Sequence, residues 1–272
     1  MRPGRERPNL DRLRTLSFQR DYACRHSGAC CTAGWIEPDE RGRCRFHDAH
    51  PDGGCRIQRE YSHASLPRAC QQFPRVATLS PAGTSVTLSA FCPTAASLLF
   101  GTEPFTIVHA PDTRALEGLD ARGVLPPLLR DGMLMDWAAV ARWEQLAVET
   151  LSAHRDDADR ALAIIQAAST PVIETWTPAD GGLSDALTAM FSRVTEPGVS
   201  AATGSGERLN PALARYYASH AFACWPMYNG QGIRGALDWL LKTRTALDEE
   251  RRSAPNLTAA FRQADLRLRH AL

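Results

Sequence analysis

The chain contains a single lysine (Lys242), no long apolar run and no surplus of basic charge. Its longest apolar stretches, residues 98–101 and 237–241, are far shorter than the roughly 20 residues that a membrane-spanning helix needs. The N-terminal residues carry charges and prolines, and no apolar segment typical of a signal peptide follows them. The formal net charge of +1 argues against a general nucleic-acid-binding protein. We therefore expect no membrane anchor, no nucleic-acid partner and a cytoplasmic location.

Cysteine is the residue type with the unusual distribution. Seven of the eight cysteines lie in the first 92 residues, and Cys224 alone lies beyond them. In an exported chain this density would indicate disulfides, but the clustered number is odd and no export signal accompanies it. In a reducing compartment, thiols at this density are more often metal ligands. The clustered cysteines therefore predict a metal site, with a disulfide scaffold as the less favoured alternative.

The sequence changes character near residue 105. Residues 1–105 are rich in Gly, Pro, Cys and Arg, and their strand signals are confined to residues 76–79 and 85–89. There we predict a loop-rich cysteine and metal module with a small β-hairpin, stabilised largely by its metal. Residues 106–272 have apolar residues at three- and four-residue spacing, which predicts an α-helical domain. The predicted fold class is mainly α, with domains at 1–105 and 106–272.

The helices of the second domain are delimited by caps and prolines. Pro171 and Pro226 are expected to end the helices that precede them. His220 and Cys224, four residues apart, would share one helix face, which we interpret as core rather than as a site. The predicted helices cover residues 136–151, 157–168, 183–194, 211–225, 233–249 and 256–272.

The clustered cysteines occur in short motifs with small or apolar neighbours. Gly28 and Ala29 directly precede the adjacent pair Cys30-Cys31, and such small residues let the backbone fold closely around a metal. Four thiolates suffice for one tetrahedral zinc ion or one 4Fe–4S cluster, so seven of them, with a histidine, could serve two sites. Cys92, the most distant, is the one we most expect to be packed away from the metal. The candidate metal ligands are Cys24, Cys30, Cys31, Cys44, Cys55, Cys70 and Cys92.

This series of motifs resembles the CxxCxxCC cysteine-cluster family, described as a zinc- or iron-chelating domain, and within it the flagellin lysine N-methylase branch. Weaker similarity extends into the helical part, at residues 128–131 and 213–217. The resemblance implies methyl transfer to protein lysines, with S-adenosylmethionine as the methyl donor and a flagellin-like protein as the partner. It rests on Cys24 through Cys30-Cys31, Ala-Gly-Trp at 33–35, Cys-Arg-Phe at 44–46, Gly-Cys-x-Ile at 54–57, Leu-Pro-x-x-Cys-x-x-Phe-Pro at 66–74 and Cys-Pro at 92–93.

The chain departs from this family in the first motif. Members carry another cysteine between the first one and the Cys-Cys pair, where this chain has His26 and Ser27. His26 could replace the missing cysteine as a nitrogen ligand, whereas Ser27 would be a poor ligand. The other histidines of the region, His47, His50 and His63, are interpreted as surface residues.

The spacing of the cysteines favours an iron–sulfur cluster over zinc. Zinc fingers use paired Cys-x2-4-Cys knuckles, whereas gaps of 5, 12, 10, 14 and 21 residues suit a cluster whose ligands come from separate loops. The sequence indicates no methyl-donor site, because the glycine-rich residues 203–206 follow no convincing strand and the three-cysteine signature of radical enzymes is absent. Three functions stay open: a lysine methylase, an iron–sulfur protein for electron transfer or redox sensing, and a zinc-stabilised interaction module.

Overall fold

The computed structural model describes residues 13–25, 27–33, 39–40, 42–47, 54–110, 116–194 and 209–270. As far as they are described, the residues form two compact units, each assembled from separate stretches of the chain. The first draws on Met1–Arg20, Ala77–Thr87 and Gly101–Lys242, and the second on Asp21–Val76, Leu88–Phe100 and Thr243–Leu272. Each unit thus contains residues from both of the predicted domains, 1–105 and 106–272.

Helices account for most of the regular structure in the described residues, which confirms the predicted mainly α fold class. None of the helices among these residues is long and apolar enough to cross a membrane. In chain order the helices are α1 Arg56–Glu60, α2 Arg68–Gln72, α3 Pro93–Ser97, α4 Trp137–Ala153, α5 Ala158–Thr175, α6 Leu183–Arg193, α7 Leu209–Ala221, α8 Gly232–Glu250 and α9 Leu257–His270.

The strands form a five-stranded mixed sheet, most of whose residues belong to the first unit, and a separate two-stranded pair. The sheet has the order β4-β1-β3-β2-β5, in which β1 runs parallel to β3 and antiparallel to β4. The predicted hairpin is confirmed as β2 and β3. The sequence did not indicate β1, β4 or β5, because such short segments become strands only through partners distant in the chain. The strands are β1 Leu13–Leu16, β2 Arg75–Ser80, β3 Gly83–Leu88, β4 Ile107–Ala110, β5 Gly118–Asp120, β6 Leu128–Arg130 and β7 Met133–Leu134.

Alternation along the strands gives the sheet one apolar and one polar face. Leu13, Ala77 and Val86 form a buried cluster on the apolar face. Arg14 and Ser85 are paired in the register of β1 and β3, and they point to the opposite face. These polar side chains therefore point into the interior of the first unit, where most side chains in folded proteins are apolar.

The core of the first unit is a packed set of helices in which α4 contacts α5, α6 and α7. Asp136 and Asp157 begin α4 and α5 by accepting hydrogen bonds from backbone amides of the first turn. Trp143 of α4 is fully buried, and its indole N–H donates to the Ser169 hydroxyl of α5 at 2.9 Å. The predicted helices therefore form where their apolar spacing placed them.

Two helix ends differ from the prediction. Helix α5 runs through Pro171 to Thr175, because Val172 and Ile173 beyond the proline are buried and their packing offsets the lost hydrogen bond. Helix α7 ends at Ala221, where the chain turns away through Ala223 with a φ of 56°. The expectation that His220 and Cys224 share a helix face was therefore wrong. Both side chains are nonetheless buried, as a core role requires.

The described residues of the second unit form loops, the short helices α1 to α3, the end of α8 and the longer helix α9. Ala29, Ala33 and Phe91 form a small buried apolar cluster, to which Phe73 and Leu266 add partly buried side chains. Helix α9 packs against α3 within this unit. The cysteine-bearing segments thus share a core with the C-terminal helix, which the sequence did not indicate.

Candidate metal centre

All seven candidate cysteines belong to the second unit. Their exposure differs widely, since Cys24 is exposed whereas Cys31, Cys44 and Cys92 are buried. Their local structures differ as well. Cys30 and Cys31 lie in the short 3-10 helix Ala29–Cys31, Cys55 directly precedes α1, Cys70 lies within α2, and Cys92 directly precedes α3.

Main-chain contacts join the segments that carry Cys30-Cys31, Cys44 and Cys55. The amide of Cys44 donates to the carbonyl of Cys31, and the amide of His47 donates to the carbonyl of Cys44, both at 2.8 Å. His47 also pairs with Cys55 in an isolated antiparallel bridge. Gly28 begins the turn at Cys30-Cys31 with a φ of 70°, a conformation that favours glycine. Three cysteine motifs distant in sequence are therefore linked through their backbones.

A hydrogen bond between the side chains of Cys30 and Cys31 shifts their pKa values in opposite directions. The Cys31 thiol donates a hydrogen bond to the Cys30 sulfur, which lowers the pKa of Cys30 to about 7. The same hydrogen bond raises the pKa of Cys31, and burial and the charges of Cys30, Cys44 and Cys55 raise it further. Cys30 is thus the thiol of this pair that ionises near neutral pH.

Cys70 joins the same electrostatic group from α2. Burial raises the pKa of Cys70 to about 11, with further contributions from the charges of Cys30, Cys44 and Cys55. We call Cys30, Cys31, Cys44, Cys55 and Cys70 the five-thiol group, because their charges act on one another. Like charges at close range cannot all form in water-poor surroundings, so without metal the group retains protons.

Cys24 and Cys92 interact with Tyr22 instead. The Tyr22 hydroxyl and the Cys92 sulfur are 3.4 Å apart. Burial raises the pKa of Tyr22, as do its hydrogen bond to Cys92 and the charges of Cys92 and Cys24. Cys92 is also packed between Leu88 and Ala95, in agreement with the expected core position. The structure therefore separates the seven candidates into five and two.

The donor chemistry of the five-thiol group fits a cluster or a zinc ion. Thiolate sulfur is the ligand that both prefer, and four of the five suffice for either. Among the residues that the structure describes, no three His, Cys, Asp or Glu side chains are already arranged to hold a metal ion. Because metal binding replaces thiol protons and draws the sulfurs together, folding and ligand convergence are coupled in such sites. His26, the conditional substitute ligand, lies outside the described residues.

His47, interpreted from the sequence as a surface residue, is not a simple surface residue in the structure. It is half-buried, and its Nδ1 is buried without a hydrogen-bond partner among the described residues. Its ring lies against Gly28, where an added Cβ would come within 3.1 Å of Nε2. The exposed His63, by contrast, fits the predicted surface role. The position of His47 between Cys44 and Cys55 was the sequence signal that could have indicated a role at the metal site.

Helix α9 fixes the loop that carries Cys92. The buried carboxylate of Asp265 accepts hydrogen bonds from the Ser89 hydroxyl at 2.5 Å and from the Phe91 amide at 3.3 Å. From the same helix, Arg262 donates to the Phe91 carbonyl at 2.9 Å. Asp265 is in turn paired with Arg269 at 2.9 Å. The C-terminal helix is therefore a structural part of the cysteine-bearing unit.

Replacing Asp265 with Ala should strongly destabilise the second unit. The substitution leaves Arg269 and Ser89 without their buried acceptor, and removing one partner of a buried pair costs ~3–5 kcal/mol. Urea unfolding measures the change. Asp248→Ala is the matched control, because Asp248 forms a half-exposed pair with Arg244 at the same four-residue spacing, and it should cost less than about 1 kcal/mol. Equal losses in the two variants would contradict the assigned role of Asp265.

In metal-free protein, Cys30 and Cys70 should differ in their reactivity toward alkylating reagents, because their pKa values differ. Only the thiolate attacks iodoacetamide, so Cys30, with a pKa of about 7, should be alkylated at neutral pH. Cys70, with a pKa of about 11, should react only under strongly alkaline conditions. Peptide mass spectrometry of the labelled protein across a pH series measures both midpoints. Alkylation of Cys70 as readily as Cys30 at neutral pH would contradict the coupling described above.

The chain was compared with protein-family models, curated proteins and solved structures. No family model, no curated protein and no solved structure matches the chain. The likeness to the CxxCxxCC family therefore rests on the sequence motifs described above and stays a prediction.

Proposed function

We propose that the second unit binds an iron–sulfur cluster through thiolates of the five-thiol group, and that the protein acts through this cluster. The proposal is supported by the backbone contacts that join the segments of Cys31, Cys44 and Cys55 within one unit, and by the effect of the charges of Cys30, Cys44 and Cys55 on the pKa of Cys70. A bound cluster would supply one-electron chemistry. The surrounding residues would tune its reduction potential through hydrogen bonds to the sulfurs and through its exposure to solvent.

Anaerobic purification followed by metal and sulfide analysis tests this proposal. We expect iron and acid-labile sulfide in equal amounts, with a broad visible absorbance that bleaches on reduction. A colourless protein with stoichiometric zinc would overturn the proposal in favour of the zinc-stabilised interaction module. Protein purified with neither metal, and unable to take up iron and sulfide afterwards, would overturn both.

His47 is proposed as the nitrogen donor of this site, either as a ligand or as a hydrogen-bond partner of a sulfur. Its buried Nδ1 without a described partner supports the assignment, since buried polar atoms are nearly always paired. In reconstituted protein, His47→Ala should shift the reduction potential of the cluster and, if His47 is a ligand, remove nitrogen coupling from its magnetic-resonance spectrum. His63→Ala is the control, because His63 is exposed in the same unit. An unchanged potential and spectrum in His47→Ala would exclude both roles.

For the activity, we propose methyl transfer to protein lysines with S-adenosylmethionine as the donor. The resemblance of the cysteine motifs to the flagellin lysine N-methylase branch is the support for this finer assignment. Incubating the cluster-loaded protein with flagellin, with and without the donor, should give a donor-dependent gain of methyl groups on lysines, read by mass spectrometry. No gain with the cluster intact would leave an iron–sulfur protein for electron transfer or redox sensing.

A further inference from the structure

Cys24 and Cys92 are the two candidate cysteines that lie outside the five-thiol group. The charges that raise the pKa of Cys31 and of Cys70 come from other members of that group, and neither Cys24 nor Cys92 contributes to them. Both act on Tyr22 instead. The second unit therefore contains two reduced thiols whose chemistry the proposed cluster does not use.

The hydroxyl of Tyr22 connects these two thiols. It lies 3.4 Å from the sulfur of Cys92, and it is hydrogen-bonded to the side chain of Cys24 as well. The tyrosine ring packs against the apolar cluster that contains Cys92, and the guanidinium carbon of Arg75 lies 5.5 Å from the ring centre. Two sulfurs that hydrogen-bond the same oxygen are at most two hydrogen-bond lengths apart. Cys24 and Cys92 are therefore neighbours in space although they are distant in sequence.

Cys92 is the fixed member of this pair. Its side chain is 3% exposed and packs with Leu88 and Ala95. Its amide donates to the carbonyl of Ser89 at 3.3 Å, and its carbonyl accepts from the amide of Ala96 at 2.8 Å. A reagent in solution therefore has little direct access to the sulfur of Cys92.

Cys24 is the accessible member. It is exposed, and residues 22–25 around it belong to no helix or strand. A rotation of its side chain with a small adjustment of this segment can bring the sulfurs to the disulfide distance of about 2.05 Å without disrupting regular structure. An accessible thiol beside a second thiol that resolves it is the arrangement of redox-active cysteine pairs.

We propose that Cys24 and Cys92 form a reversible disulfide when the protein meets an oxidised small thiol compound such as glutathione disulfide. The sulfur of Cys24 attacks one sulfur of this reagent, a mixed disulfide forms, and the first glutathione leaves and takes up a proton. The sulfur of Cys92 then attacks the sulfur of Cys24, the protein disulfide forms, and the second glutathione leaves in the same way. The two protein thiols lose two electrons and two protons, which the two glutathione molecules receive.

The disulfide gives the second unit a redox response that is separate from the proposed cluster. In a reducing compartment, disulfides of this kind are usually transient and report the redox state. A bond between segments so distant in sequence also restricts the unfolded chain, so the oxidised protein should resist urea unfolding better than the reduced one.

Oxidation of the full-length protein, purified anaerobically with its metal, tests the proposal. The protein is incubated with glutathione disulfide, the remaining thiols are blocked, and tryptic peptides are analysed by mass spectrometry without reduction. Trypsin releases Cys24 in residues 21–25 and Cys92 in residues 76–114, neither of which contains another cysteine. We expect these two peptides to be linked, the link to disappear with excess reduced glutathione, and the metal content to stay unchanged.

Single variants test the order of the two steps. Cys92→Ser should retain glutathione on Cys24, because the resolving thiol is missing. Cys24→Ser should leave Cys92 unmodified, because Cys92 is buried. Cys224→Ser is the control and should form the link as the wild type does, since Cys224 lies in the first unit. Thermal unfolding shows that each variant measured is folded.

The results that would overturn the proposal are equally specific. They are the absence of the Cys24–Cys92 link in folded protein, a link from Cys24 to a member of the five-thiol group, and loss of metal as the link forms, which would place the pair among the metal ligands. The link is expected whether the five-thiol group holds iron or zinc. Metal analysis of the same sample therefore distinguishes a failure of the cluster proposal from a failure of this one.

Discussion

Cys55→Ser and Cys70→Ser should each lose the metal of the second unit. Serine oxygen is a poor ligand for soft iron or zinc, and both residues belong to the five-thiol group. We expect iron and sulfide to fall to near background and the visible absorbance to disappear. Because metal binding and folding are coupled in small metal-dependent units, residues 54–76 should also become susceptible to protease.

Cys224→Ser is the matched control for these variants. Cys224 is buried in the first unit, whereas the five-thiol group lies in the second. Cys224→Ser should therefore retain the full metal content. Wild-type metal content in both Cys55→Ser and Cys70→Ser would contradict the ligand assignment.

The same measurement of metal content shows whether Cys24 and Cys92 are metal ligands. Cys92 is hydrogen-bonded to Tyr22 and packed in an apolar cluster, and Cys24 acts on the same tyrosine. If the five-thiol group holds the metal alone, Cys24→Ser and Cys92→Ser should keep it. Loss of metal in either variant would restore that residue to the ligand set predicted from the sequence.

Glu144→Ala should be among the most destabilising single substitutions in the first unit. It leaves Arg14 buried without its partner and deprives the Ala223 amide of its acceptor. Removing one member of a buried ion pair costs ~3–5 kcal/mol. Urea unfolding should show this loss as a lower midpoint with an unchanged slope.

The double variant Arg14→Met, Glu144→Leu tests whether the loss in Glu144→Ala comes from leaving Arg14 buried without its partner. Apolar residues of similar size often replace a buried ion pair without loss, so most of the stability should return. Asp120→Ala serves as the control, because its pair with Arg122 is exposed and should contribute little. A Glu144→Ala effect as small as that of Asp120→Ala would contradict the buried pair, and a double variant no more stable than Glu144→Ala would contradict the explanation.

Helix positions in the first unit could be predicted well from local patterns, and the exceptions have physical causes. Trp143 and its neighbours repeat at helical spacing, and α4 forms there. Pro171 does not end α5, because the burial of Val172 and Ile173 outweighs the lost hydrogen bond. Strand β1 was unpredictable from its own four residues, since it exists through its pairing with β3 and β4.

The seven clustered cysteines, by themselves, determined that this protein carries a thiol-rich module and that metal chemistry is its leading explanation. That inference needs only composition and spacing, because thiols at such density have few other uses in a reducing compartment. Only the tertiary structure decided that five of them act on one another while Cys24 and Cys92 act on Tyr22. It also brought α9 into the cysteine-bearing unit and placed Arg14 beside Glu144, 130 residues apart in sequence. Electrostatic coupling and burial depend on distances in space, which sequence separation does not record.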